Sequence, residues 1–271
     1  MSQAGLVPVM ALAERAGLSA LVEEKVRLGT TRVRSAGANP AGKLTTVVAG
    51  MAAGADGIDD IDVVGTGGMA RVFGGVYAPA TLGQFLREFT HGHAGQLASV
   101  AGEHLVDLAG YAGLLPGIAE QAVIDIDSLL RPVHGHAKQG ASYGHAKIAG
   151  RQVLRTGLSP LVTTISTPRA APVLAGTRLR AGKAGSGKAA ASMVRQAIGT
   201  ARRVGAGQIL VRGDAAYGTA AVVTTCINAG ARFSVVLTKT PRSTGRSPAS
   251  ATTPGPRSAT PGRCSTRTPA R

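Results

Sequence analysis

The chain has 271 residues, 44% hydrophobic and 3% aromatic, with no Trp and a net charge of +16. That length holds one or two domains with a sizeable core, and that charge makes a polyanion, nucleic acid or an anionic membrane surface, the expected partner. Two cysteines, Cys226 and Cys264, exclude a disulfide framework and a cysteine zinc site. The opening MSQAGLVPVMALAERAG has no basic segment ahead of its apolar stretch, and no apolar run approaches the ~20 residues of a membrane helix. No signal peptide and no membrane span are therefore expected, and the cytoplasm is the expected compartment.

The first 122 residues, with eight basic and eleven acidic groups, read as helical. Apolar positions three and four apart predict helices over 6–16 and 19–28, broken at Gly17. Pro40 suits the first turn of a helix running to about residue 53. Ile58, Ile61 and Val64 share one face of a short helix that leaves Asp59, Asp60 and Asp62 to solvent. Pro79 opens a helix with a Leu82, Phe85, Leu86 and Phe89 stripe, and a longer helix covers 94–108.

The pattern changes at Ala122. Ala-Val-Ile-Asp-Ile-Asp-Ser alternates with period two and predicts a strand. Residues 135–150 form a Gly-rich polar stretch. Strands follow over 158–167 and 171–178, turned at Pro168; then come a helix over 186–204, a buried strand over 208–214, a helix over 217–229 closed by Gly230, and a fifth strand over 233–238. The order β-β-β-α-β-α-β implies an α/β fold with a mixed sheet and flanking helices. The chain thus divides into a helical region, 1–120; a sheet-containing core, 121–240; and a tail, 241–271. The tail contains only Arg, Pro, Ser, Thr, Ala, Gly and Cys264, cannot bury a core, and is expected to be disordered. Thirty-eight glycines and abundant Ala indicate a GC-rich gene. In such a gene a shifted reading frame near codon 240 would produce this composition; a native phosphate-gripping tail is the alternative.

After residue 122 only Asp125, Asp127 and Asp214 are acidic, against twenty-two Lys and Arg. Carboxylates repel phosphates, so those that remain are candidates for holding a metal ion against phosphate. Asp127 and Asp214 end the first and fourth predicted strands, where they can converge at one sheet edge. Asp125 shares a face with Asp127 and is either a third, weaker ligand or, the favoured reading, satisfied by a buried Lys or backbone group. Lys138, Lys147, Arg151, Arg155, Arg178, Arg180, Lys183, Lys188, Arg202 and Arg203 are expected to form a phosphate-tracking surface with steep salt dependence.

The segments Asp125-Ile-Asp127-Ser128, Lys138-Gln-Gly-Ala-Ser-Tyr143-Gly144, Leu158-Ser-Pro160 and Arg212-Gly-Asp214-Ala-Ala-Tyr217-Gly218 resemble the DDE transposases of bacterial insertion sequences, and most closely the transposase DDE group 1 type. The resemblance spans most of residues 1–240 and is specific over 121–239. It implies an RNase H-like core that cuts and rejoins DNA with two Asp and one Glu holding Mg²⁺ or Mn²⁺. It places Asp127 as the first catalytic Asp and Asp214 as the second. The family's Glu belongs on a helix beyond the fifth strand, where this sequence has no acid at all. Leu129 replaces the usual Thr, and Ala215 replaces a common Ser. The resemblance therefore implies a transposase remnant that is inactive by itself, with DNA, meaning element ends and target, as its partner and a homo-oligomer as a candidate assembly. A rival reading is a DNA-binding protein that interferes with an intact transposase by occupying its sites or by forming mixed oligomers.

Other signals are weaker. Gly182-Lys-Ala-Gly-Ser-Gly187-Lys188 matches a phosphate-cradling loop until Ala189, where Ser or Thr is required; a nucleotide binder is the remote alternative. His91, His93 and His104, and separately His134 and His136, fit no zinc spacing. Gly65-Thr-Gly-Gly68 is too short for a dinucleotide fingerprint.

Overall fold

The N-terminal region folds as the apolar spacing predicts. Its elements are α1 (Leu6–Arg15), α2 (Leu18–Lys25), α3 (Pro40–Ala52), a 3₁₀ turn (Asp59–Gly65), α4 (Pro79–Arg87) and α5 (His91–Ala112). In the 3₁₀ turn, residues three apart eclipse, which buries Ile61 and Val64 and leaves Asp59, Asp60 and Asp62 exposed, while Ile58, expected on the same face, is 36% exposed. Asn39 precedes Pro40 and accepts the Gly42 amide at 3.3 Å, starting α3. A capping box between Thr90 and His93 starts α5 three residues before the predicted position. Leu6, Met10, Ala49, Ile61, Val64 and Leu82 form one apolar cluster, and Leu18, Val22, Val26, Ala41, Leu44, Phe85 and Val100 another.

This computed structural model describes residues 3–29, 36–66, 75–135, 138–148, 150–185 and 187–237. The tail, 241–271, lies outside them, as do Thr238 of the predicted fifth strand, His136 and the Gly67-Gly68 pair. Residues 1–237 form one compact unit, and α5 packs on the edge strand of the sheet.

Among the described residues, α5 is followed by β1 (Gln121–Ser128), β2 (Arg131–Pro132), β3 (Ser142–Ile148), β4 (Arg151–Leu158), β5 (Leu161–Thr167), β6 (Ala170–Arg178), α6 (Ala190–Arg203), β7 (Gln208–Gly213), α7 (Ala220–Asn228) and β8 (Arg232–Val235). The main sheet has the order β6-β5-β1-β7-β8. It is mixed: β1 runs antiparallel to β5 and parallel to β7, and β7 runs parallel to β8. One face carries Ile124, Ile126, Leu161, Ile165 and Val211 into a core shared with Met193, Val194, Ala197 and Ile198 of α6 and with Val222 and Cys226 of α7. Burying each such large side chain fully contributes about 1.5–3 kcal/mol.

Three expectations need correction. The helices do not flank both faces: among the described residues α6 and α7 pack on one side, while the opposite face leaves Val123, Val162 and Thr164 half-buried and Leu174 63% exposed. The predicted strand over 158–167 is two strands, because Ser159-Pro160 breaks the ladder after Leu158. The Gly-rich polar stretch contains β3, which with β4 and β2 forms a second sheet in the order β2-β4-β3. Gly135, Gly140 and Gly150 of that stretch have positive φ and turn the chain, whereas Gly144 within β3 serves close approach. A Cβ on Gly144 would lie 2.3 Å from the Gly182 carbonyl oxygen, and one on Gly182 would lie 2.2 Å from that of Ser142. The loop after β6 can therefore seat directly on the small sheet.

Candidate active site and nucleic-acid surface

β1 and β7 are neighbours running in the same direction, and their pairing ends at Ile126 opposite Gly213. Asp127 and Asp214 each come one residue later in sequence. The register therefore brings the two exposed carboxylates to the same edge, at the carboxyl ends of adjacent parallel strands. Each holds a local amide: Asp127 Oδ1 accepts from the Ser128 N–H at 2.6 Å, and Asp214 Oδ1 from the Ala216 N–H at 2.9 Å. These turns fix the side chains while leaving oxygen lone pairs open to solvent.

Asp125 is not such an open ligand. Arg212, its register partner on β7, donates from Nε and Nη2 to both carboxylate oxygens, each at 2.7 Å. The bidentate bond raises the Arg212 pKa further. Of the two readings of Asp125 the structure favours the satisfied one, with Arg212 in place of the expected buried Lys or backbone group.

Tyr217 lies beneath the strand ends and is 1% exposed. Its hydroxyl donates to Ser128 Oγ at 2.9 Å, and its backbone N–H donates to the Asp214 carbonyl at 3.1 Å. Burial pushes the phenol pKa up. The Ser128 bond and Arg180 pull the other way, whereas the charges of Asp127 and Asp214 add to the rise. The phenol thus stays protonated and feels both aspartates. Sequence reasoning passed over this residue, although its place three residues after Asp214 was a signal.

Arg180 is a correction. Expected on the phosphate-tracking surface, it is buried and bonded within the fold. Its Nε donates to the Ser159 carbonyl at 3.0 Å, Nη1 to the carbonyls of Gly185 at 3.3 Å and Lys188 at 2.9 Å, and Nη2 to Ser159 Oγ at 3.3 Å. Burial lowers its pKa, an effect opposed by Tyr217. In the loop before α6, Gly185 and Lys188 therefore turn carbonyls toward an internal cation, the reverse of a phosphate cradle, which presents N–H groups. Ala189 in that loop has φ of 67°, which delays α6 to Ala190.

The other basic candidates fall into two sets. Lys138, Arg151, Arg155, Lys183 and Lys188 are exposed on the small sheet, the turn before it and the loop seated on it, where the Lys183 N–H donates to Ser142 Oγ at 2.8 Å. Arg151 and Arg155 share one face of β4. Lys147 lies on β3. Arg178 ends β6 and donates to Ser192 Oγ at 2.9 Å, while Arg202 and Arg203 close α6, where Arg202 bonds the Ala229 carbonyl. Of the histidines, His93 caps α5 and His104 Nδ1 lies 3.0 Å from the Ala16 carbonyl oxygen. Among the described residues, no three His, Cys, Asp or Glu side chains come together as a metal site, and no helix is long and apolar enough to cross a membrane. The donors at the β1 and β7 ends are two carboxylates, a set that suits a hard divalent ion completing its shell with substrate phosphate and water.

Among known families, the model of the transposase DDE domain, group 1, matches residues 1–261 of the chain. No curated protein is detectably similar to it.

Proposed function

The chain belongs to the transposase DDE domain group 1 family, a family of DNA transposition, and from that premise we propose that the main sheet is the RNase H-like core of an insertion-sequence transposase acting in the cytoplasm. The observation that carries this reading is the pair of exposed carboxylates, Asp127 and Asp214, at the ends of adjacent parallel strands in a region otherwise almost without acids. These two residues would hold the divalent ion, Mg²⁺ or Mn²⁺, which in such enzymes activates the attacking oxygen and steadies the leaving one. Around them the chain's own groups position DNA. Arg180 shapes the loop that presents Lys183 and Lys188, and the small sheet presents Arg151 and Arg155.

Catalysis by this sequence is incomplete. No Asp or Glu follows Asp214, in the sheet's last strand or in the tail, and Asp125 is held by Arg212. The third carboxylate has no counterpart, and a metal misplaced by about 1 Å is enough to lose ~10²-fold in rate. The chain by itself is a DNA-binding transposase without strand-cleaving activity, its tail the product of a shifted frame. Its exposed basic groups favour a consequence: occupation of element ends, or mixed oligomers, in competition with an intact transposase.

The test is Mg²⁺-dependent nicking of element-end DNA alongside salt-dependent binding. The expected result is tight, steeply salt-sensitive binding with no nicking above that of Asp214→Ala. Robust nicking abolished by Asp214→Ala overturns the inactive reading, and a flat salt response overturns the DNA surface. Translation of the other two frames beyond codon 240 checks the tail: an apolar-periodic helix bearing a Glu is expected, and its absence in both frames makes the tail native.

A further inference from the structure

We propose that Tyr217 is a positioning residue that locks the Asp127 and Asp214 turns to each other through its hydroxyl bond to Ser128. The proposal rests on the reading of the two aspartates as a metal-holding pair and goes beyond it, because it names what sets their separation.

The sheet alone does not set it. Backbone pairing between β1 and β7 stops at Ile126 and Gly213, so each aspartate lies one residue beyond the ladder. Past that point the two strands are tied by a side chain. Ser128, directly after Asp127, donates its amide to the Asp127 carboxylate and receives the Tyr217 hydroxyl on its Oγ at 2.9 Å. Ala216, directly before Tyr217, donates its amide to the Asp214 carboxylate, and Tyr217 itself returns an N–H to the Asp214 carbonyl. The path Asp127–Ser128···Tyr217–Ala216–Asp214 therefore contains one rigid ring and one hydroxyl bond across 89 residues of sequence.

The ring is held from the side. A Cβ on Gly213 would meet Tyr217 Cβ at 3.1 Å and Ile126 Cγ2 at 3.2 Å, so the glycine makes room for Tyr217 against β1. Apolar neighbours are enough to bury a phenyl ring, whereas the hydroxyl matters only for its bond to Ser128. Groups that orient metal-holding side chains in this way typically change metal affinity by about 10- to 100-fold when removed. Tyr217→Phe deletes the hydroxyl and keeps the ring. Ser128→Ala deletes the acceptor and leaves Tyr217 untouched.

The experiment uses the full chain and two readouts. In the first, amide hydrogen exchange is followed at Ser128 and Ala216, with Ile124 and Val211 inside the ladder as references. Tyr217→Phe is expected to speed exchange at both turn amides by about tenfold while the references stay unchanged; Ser128→Ala does the same at Ala216. Unchanged exchange at both turns overturns the lock, and Ser128→Ala supplies the same test if Tyr217→Phe does not fold. In the second, Mn²⁺ alone is titrated and its bound fraction read by electron paramagnetic resonance. Wild type binds, Asp214→Ala does not, and Tyr217→Phe binds about 10- to 100-fold more weakly at an unchanged melting temperature. The double variant is expected to match either single one. Equal Mn²⁺ affinity in wild type and Tyr217→Phe overturns the proposal. Should Asp214→Ala bind Mn²⁺ as wild type does, the metal-pair reading falls, and the exchange data alone decide the lock.

Discussion

Among the described residues, the helical half buries the Lys43 cation and the sheet half the Arg180 cation, and they do so differently. Lys43 in α3 donates to the carbonyls of Ala36, at 2.6 Å, and Ala38, with the rings of Tyr77 and Phe85 below 6 Å. It closes a local loop five to seven residues away. Arg180 uses its planar fork to join segments from two sides, Ser159 before β5 and the loop before α6. A compact ammonium suits one short closure, and a guanidinium suits several acceptors in a plane. Acids divide the same way. In the helical half Glu103 pairs with Lys25 at 3.1 Å and Glu14 accepts from Ser19 at 2.6 Å. In the sheet half one acid of three is paired across strands and two stand open at the edge. The comparison teaches that where ordinary surface acids are lost, the few that remain stand out by position, one bound across strands to Arg212 and two open at the strand ends.

The largest expected effect falls on the sheet half. Arg180→Ala strands the carbonyls of Ser159, Gly185 and Lys188 and is expected to lower stability by about 3 kcal/mol in urea unfolding. A loss no larger than that of an exposed Arg151→Ala control would show that the loop holds itself. Lys43→Met keeps the aliphatic length and the ring contacts but leaves two carbonyls without a donor, and is expected to remove about 1–2 kcal/mol.

Alkali should separate the halves. Lys43 has its pKa lowered by burial. Between that lowered value and 10.5 the unfolded chain binds more protons, so this group makes stability rise with pH. Tyr217 has its pKa raised, chiefly by burial. Above 10.0 the unfolded chain loses the phenolic proton first, so this group makes stability fall as pH rises. Each contributes a slope of at most about 1.4 kcal/mol per pH unit. Denaturation from about pH 8 to 11, a range that spans both ordinary values, should show the two contributions with opposite sign when compared with Lys43→Met and Tyr217→Phe; equal slopes in all three proteins would refute both.

The smallest effect is expected at Asp125. Its pair with Arg212 is partly exposed, so Asp125→Asn should cost under about 1 kcal/mol. It should also leave Mn²⁺ binding by the Asp127 and Asp214 pair intact. A loss of binding as large as that of Asp214→Ala would restore Asp125 as a ligand.

Legibility followed the range of the interactions. Helical periodicity placed every N-terminal helix because it records which face is buried. Apolar positions placed β1, β5, β6 and β7 because each turns some of them to the core, whereas β8 was placed by its short apolar run alone and leaves Phe233 40% exposed. β3 and β4 escaped because their faces are polar and their glycines resemble a loop, while the reason for those glycines is the seating of Gly182. At the site, the types and strand-end positions of Asp127 and Asp214 were legible from the scarcity of other acids. The pairing of Asp125 with Arg212 was not, since it depends on a strand register between residues 87 apart.

By itself the sequence determined the helices and the strands of the main sheet, the basic surface expected around three aspartates, and the resemblance that the family match supports, because composition and periodicity are local properties. Only the tertiary structure decided which aspartate is neutralised, which arginine is inside, and that Tyr217 reaches Ser128. Each of these depends on segments far apart in the chain arriving within one hydrogen bond of each other, and no spacing along the chain encodes that distance.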